Sequence, residues 1–140
     1  TDKAKSAIAM GLVLGKQGPT RIEEAEEYIV SGIEILEEHQ YKPNYAIGYL
    51  KLGELYTDTG RFEEALKNIT KAQTLFQEME MDYWVGRSQA ALALYHQKQT
   101  NLPQAREHLT KAIEIMKKME AHGWAERYEK ELELLNSQSI

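Results

Sequence analysis

The sequence predicts an all-α chain, three antiparallel helix pairs stacked as a solenoid and closed by a seventh helix. Three observations predict it. The chain repeats itself under a shift of 40 residues, its apolar residues recur at helical spacing, and turn-forming residues interrupt them at regular intervals. Under that shift Ala25, Ala65 and Ala105 align, then Gly32, Ala72 and Ala112, then Ile29, Ile69 and Leu109. Ile22, Phe62 and Leu102 form a further column, and Leu12, Leu52, Leu92 and Leu132 another. Trp84 matches Trp124, and Arg87 matches Arg127. So many columns in one register define a period.

The first helix is expected near residues 2–17, ended by Gly18-Pro19. The second, near 21–38, carries the stripe Ile22, Ile29, Ile33 and Leu36. Its glutamates Glu23, Glu24, Glu26 and Glu27 lie in the first turns, where negative charge complements the helix dipole, and Glu26 reads as an outer-face residue. Gln40–Pro43 separates it from a third helix near 43–58, with Pro43 in the first turn, where a missing N–H costs nothing. Gly60 precedes the fourth, near 62–79, whose stripe is Phe62, Ile69, Leu75 and Phe76. Glu80–Asp82 leads into the fifth, near 83–98, with Asp82 the expected N-cap. Asn101 and Pro103 open the sixth, near 102–119. Ala121–Gly123 precedes the last, near 123–136, which Leu132 and Leu135 would pack onto the third pair, leaving Glu129 and Glu133 outward. No stretch alternates with period two for long enough to be a strand.

Small residues explain how the pairs close. Ala25 and Gly32 lie seven apart, hence on one face of their helix, and Ala65/Ala72 and Ala105/Ala112 repeat the arrangement. Gly53 and Ala93 supply the small residue on the preceding helix of their pairs. Such pairs bury their apolar faces only by stacking on neighbours.

These residues carry a resemblance. The segment from Tyr49 through Leu52, Gly53 and Tyr56, followed by Phe62, Ala65, Ile69 and Ala72, resembles a tetratricopeptide repeat. The third unit is similar, with Gln89 and His96 at two aromatic positions and Ala93 for glycine. The first departs most, with Val13 and Lys16 where the family has Gly and Tyr. The resemblance implies a right-handed superhelical solenoid, with repeats near 6–41, 46–81 and 86–121 and a capping helix near 123–136, in a single domain spanning 1–140. The family's usual period is about 34 residues, so the six extra residues, placed between Ala72 and Gln89, imply helices about a turn longer beside that connection. Long repeats of this kind look like those in the helical arms of large bacterial ATPase-linked cyclases and transcription regulators. Because the chain starts at Thr1 rather than Met, it reads as a fragment of a longer protein.

Composition narrows the function classes. Charged residues make up 28% and the formal charge is −5, without a basic run longer than Lys117-Lys118, which argues against a nucleic-acid partner. The absence of cysteine removes disulfides, thiolate metal sites and cysteine nucleophiles, and is compatible with a reducing cytoplasm. No apolar stretch approaches the roughly 18 residues of a membrane span, so no membrane partner is expected. Gly11 to Lys16 fails as a phosphate loop, because its glycines are too close and Gln17 stands where a hydroxyl is needed. His39, His96, His108 and His122 form no metal-ligand spacing; His96 reads as a packed ring and His108 as a surface residue. Met79, Met81, Met116 and Met119 read as gap-fillers between helices. No catalytic set, metal site or cofactor is expected.

What remains is binding. The resemblance implies a concave groove for a partner peptide or helix, lined by the first helix of each pair. Carried onto this sequence, its residues are Ala7, Met10 and Leu14 in the first unit, then Ile47, Leu50, Glu54, Thr57 and Asp58 in the second. Arg87, Ala90, Leu94, Gln97 and Lys98 follow in the third, and Arg127, Lys130 and Leu134 in the closing helix. Arg87, Lys98, Arg127 and Lys130 gather basic charge toward one end, so the expected partner has an apolar stretch followed by acidic residues. Met10 and Leu14 stand where chaperone-tail-binding relatives need Lys and Asn, which makes a chaperone tail a poor ligand. Ile8 and Met10 are expected to allow self-association at the N-terminal end. The alternative is a regulatory sensor arm that binds a small ligand or peptide and relays this to an attached signalling domain.

Overall fold

The chain folds, in a computed structural model that describes residues 2–16 and 21–138, as seven α-helices, with no strand among those residues. They are α1 (Asp2–Lys16), α2 (Ile22–Glu38), α3 (Lys42–Asp58), α4 (Phe62–Glu78), α5 (Asp82–Lys98), α6 (Leu102–Lys118) and α7 (His122–Gln138). The expected boundaries hold to within about two residues, as helix ends generally allow. Gly18-Pro19, the expected stop of α1, lies outside the described residues. From α2 onward every helix has 17 residues. The 40-residue period is therefore two identical steps of helix plus short connector, and the extra length belongs to every helix rather than to one connection.

The connectors show why the spacing is so regular. Gln40, Gly60, Glu80, Thr100 and Glu120 all adopt positive φ, between 54° and 79°, at intervals of 20 residues. Each is flanked by the same two hydrogen bonds. The Tyr41 N–H donates to the Leu36 carbonyl and the Gln40 N–H to the Glu37 carbonyl, and the pattern recurs at 60–61, 80–81, 100–101 and 120–121. This is the Schellman ending, which satisfies orphan carbonyls of the last turn. Only Gly60 has a residue suited to it. Thr100 is β-branched, and a left-handed conformation costs such a residue about 1–2 kcal/mol. Thr100→Gly is expected to raise the unfolding free energy by roughly 1 kcal/mol, and an unchanged urea midpoint would refute the assignment.

Asp82 is not the N-cap of α5. Met81 holds that place, its carbonyl accepting from the Trp84 and Val85 N–H groups, and makes no side-chain cap bond. The left-handed residue at 80 turns the chain so sharply that Asp82 is already helical. Its carboxylate still lies in the first turn, beside the positive end of the dipole.

The helices group into two compact units, residues 1–75 and 76–140. In the first unit the close approach depends on glycine. A Cβ built on Gly53 would lie 2.5 Å from Ile69 Cγ1 and 3.2 Å from the Ala65 carbonyl oxygen; one on Gly11 would lie 2.6 Å from the Ala25 carbonyl oxygen. Gly11, not Val13, is therefore the counterpart of Gly53, and α1 runs two residues out of the 40-residue register. The column of Leu12 with Leu52 is corrected accordingly, since Met10 is the true mate of Leu52. Ala4 is fully buried like its new mate Ala46. Five residues separate Lys16 from Ile22 against three between each later pair of helices, and sequence alignment by a fixed shift carried that excess into α1.

In the second unit the core consists of Ala93, Ala105, Leu109, Ala112, Ile113 and Met116 from α5 and α6, joined by Ala125, Tyr128 and Leu135 from α7. Leu132 packs against it, half-buried. Where α5 has Gly86 and Ala93, α7 has Glu126 and Glu133 at the same register, both exposed. The helix is apolar on one face only, which is what a solenoid end needs. Glu129 does not point away as expected; it reaches back to Lys117 of α6 at 3.4 Å. Met116 fills the core, whereas Met119 is exposed.

Candidate protein-binding surfaces

The expected groove residues separate into three groups. Leu14 and Leu50 are buried and cannot meet a partner, nor can Thr57. The reason is the helical turn, which places Leu50 and Thr57 inward together with Gly53. Met10 is 49% exposed and Val13 52%, but their register mates Leu52 and Leu55 are buried on α3. They form the end face of α1 rather than a groove.

In the first unit an open cleft of about 180 Å³ lies between α1 and α3, with one wall of Ile8, Leu12 and Ile47 and a rim that includes Lys5 and Lys51. The corrected register explains it. A shift of 42 maps Ile47, Leu50 and Glu54 onto Lys5, Ile8 and Leu12, so the α1 residues that line this cleft beside Ile47 include Lys5, Ile8 and Leu12 rather than Ala7, Met10 and Leu14. Ile8 and Leu12 are as unsuited to a chaperone-tail clamp as Met10 and Leu14. Lys51 reaches Glu54 at 3.6 Å, and Asp58 is exposed at the end of the helix.

In the second unit α5 and α7 present matched residues 40 apart. Leu94 is 38% exposed and Leu134 65%. Ala90 is half-buried, and Lys98, Arg127 and Lys130 are exposed. Arg87 is half-buried; its Nη1 donates to Tyr83 Oη at 2.8 Å, and its guanidinium carbon stands 4.3 Å from the Trp124 ring. Tyr128 beneath is buried, which pushes its hydroxyl up to about 12, and so stays neutral as a packing ring.

Residues 44–118 match the family model described as Tetratricopeptide repeat. The chain belongs to this family. Tetratricopeptide repeats generally mediate protein–protein interaction. Comparison with curated proteins yields no match.

Two polar networks in this tetratricopeptide repeat chain escaped sequence reading. Glu26 is no idle outer-face residue. It accepts from Tyr56 Oη at 2.8 Å and from Arg61 Nη1 at 2.6 Å, while Arg61 also bonds Glu64 and stacks 4.4 Å over the Tyr56 ring. Burial raises the Glu26 carboxyl, but the Arg61 and Tyr56 hydrogen bonds outweigh it and hold the group below its ordinary value. Glu26→Lys is thus expected to weaken the tie between α2, α3 and the start of α4. The sequence shows these residues 30 and 35 positions apart, and nothing local pairs them.

The second network is a histidine pair. His108, expected on the surface, stacks flat on His96 at 5.2 Å and bonds Gln89 through Nδ1 at 2.7 Å. It is half-buried because α5 and α6 close over it. Burial lowers both imidazoles below 6.5; for His108 the charges of His96 and Lys111 add to this, and Glu107 opposes it for both rings. A lowered histidine pKa means that the unfolded chain binds protons first as pH falls. The pair's contribution is complete above pH 6.5 and declines below it. Urea midpoints should therefore fall between pH 7.5 and 5.5 in the parent, and fall less in His108→Gln. Parallel curves for the two would exclude the pair as the cause.

Among the described residues no helix is long and apolar enough to cross a membrane.

Proposed function

We propose that this chain is a scaffold that binds a partner polypeptide on the exposed faces of its odd-numbered helices, through the α1–α3 cleft of one unit and the α5–α7 face of the other. The observation that carries this is the repeated exposure of Leu94 and Leu134, which share one register position and have cationic neighbours. Scattered exposed apolar residues are ordinary, but ones that recur at equivalent places mark a surface kept open. The absence of cysteine is compatible with work in a reducing compartment such as the cytoplasm.

Site-specific photocrosslinking in cells tests it. A benzophenone side chain placed at Leu94 or at Ile47 is expected to give protein adducts of discrete mass, and one at Glu114, on the outer face of α6, none. Equal adducts from all three sites, or adducts from Glu114 alone, would place binding elsewhere.

A further inference from the structure

The motif Trp-x-x-Arg occurs twice, at Trp84–Arg87 and at Trp124–Arg127, in the first turns of α5 and α7. Within the second unit the fold turns this repetition into a ladder. Phe76 stacks on Trp84 at 5.6 Å with the rings 22° from parallel. The Arg87 guanidinium carbon lies 5.5 Å from the Trp84 ring and 4.3 Å from that of Trp124, and the Arg127 carbon lies 5.1 Å from Trp124. One cation is held between two indoles, and one indole serves two cations.

Two guanidinium groups on one ring repel, and each indole contact returns only about 0.5–2 kcal/mol. Proteins usually settle such a cation with a carboxylate, and this chain has a surplus of them at net charge −5. Yet Arg87 belongs to none of the ion pairs among the described residues. Among the described residues its side-chain hydrogen bond goes to the Tyr83 hydroxyl, not to a carboxylate. Arg127 has Glu131 at 3.7 Å, a long pair between exposed side chains, worth little in water. Stacking fixes the plane of each guanidinium and leaves its edge to donate, the geometry that suits bidentate carboxylate binding.

We propose that the α5–α7 face binds an acidic amphipathic segment of a partner protein, with carboxylates on Arg87 and Arg127 and aliphatic side chains on Leu94 and Leu134. This rests on the protein-binding reading above and supplies its chemistry. Leu94 follows Arg87 by seven residues, as Leu134 follows Arg127, which is about 10 Å along each helix. A helical partner matches that distance with an acidic and an aliphatic residue seven apart, an extended one with the two about three apart. Lys130 and Lys98 add positive charge on the same helices.

The test uses synthetic helical peptides with two Glu residues, each followed seven positions later by Leu, and a twin in which Lys replaces Glu. Binding is read by the fluorescence of Trp84 and Trp124 in the 140-residue protein. The Glu peptide is expected to bind at least tenfold tighter than the Lys twin, less so as salt rises. The double variant Arg87→Gln/Arg127→Gln should weaken it tenfold or more. Because Arg87 is part of a packed stack, Leu134→Glu provides a second test at an exposed position that cannot disturb the core; it should weaken the Glu peptide to the same degree. Equal binding of the two peptides, parental affinity in these variants, or no binding of the Glu peptide up to about 1 mM would overturn the proposal. Crosslinks from Leu94 persisting beside such a failure would leave protein binding intact and remove only its acidic chemistry; loss of the Leu94 and Ile47 crosslinks would remove the wider reading.

Discussion

A chain ending at Ala121 is expected to self-associate at micromolar concentration, while the parent does not aggregate through its C-terminal end. The helix α7 buries Tyr128 and Leu135 almost completely against α6, with Ala125 also buried and Leu132 half-buried beside them. Each large side chain removed from water contributes roughly 1.5–3 kcal/mol, so loss of α7 should cost the second unit on the order of 5 kcal/mol. It would also uncover Leu109, Ile113 and Met116, which belong to the same core. An apolar face of that kind, without Glu126 and Glu133 outside it, pairs with whatever apolar face is available. Light scattering and urea unfolding of the shortened chain decide this. A monomer with the parental midpoint would show that α7 is an appendage.

The two ends of the chain differ, and comparison of registers shows how. The outward face of α7 carries Glu126 and Glu133, whereas that of α1 includes Met10 and Val13, both about half exposed. That contrast was only partly legible in the sequence. Leu132, Leu135 and Glu133 could be placed because α7 keeps the 40-residue shift. Met10 and Leu14 could not, because α1 is offset by two residues and a fixed shift puts Leu12 at the register position that Met10 occupies. A two-residue error on a helix rotates a side chain by more than half a turn, enough to mistake a buried leucine for a groove wall.

Other losses have equally physical causes. Four of the five left-handed connector positions carry Gln, Glu or Thr, and only the hydrogen-bonded turn around them forces that conformation. The Glu26–Arg61 tie joins residues from different helices, which periodicity alone does not align. By contrast the Trp84/Trp124 and Arg87/Arg127 columns were visible from the sequence, and the fold added what spacing could not show, that the columns interleave as a ladder.

Small residues at the helix contacts give the other large expected effect, one whose sign reverses along the same chain. Gly53→Ala is expected to destabilise the first unit by about 1–3 kcal/mol. The new Cβ would stand 2.5 Å from Ile69 Cγ1, and rotation of that side chain would not free it, because the backbone N of Ile69 is 3.1 Å away and the Ala65 carbonyl oxygen 3.2 Å. The helices α3 and α4 would have to separate by a few tenths of an ångström along a contact that also seats Ala65 and Ile69, both fully buried. Ala65→Leu at the same contact should cost at least as much, since it adds three carbons where even one does not fit. Gly123→Ala is the control. It lies in the first turn of α7 with nothing within 4 Å of its added Cβ, so the gain in helix propensity, up to about 1 kcal/mol, meets no steric cost. Urea unfolding of the three variants should show midpoints below the parent for Gly53→Ala and Ala65→Leu and at or above it for Gly123→Ala. If Gly53→Ala matched Gly123→Ala, backbone entropy rather than close approach would explain the glycine, and the small-residue contact would lose its role in closing the helix pair.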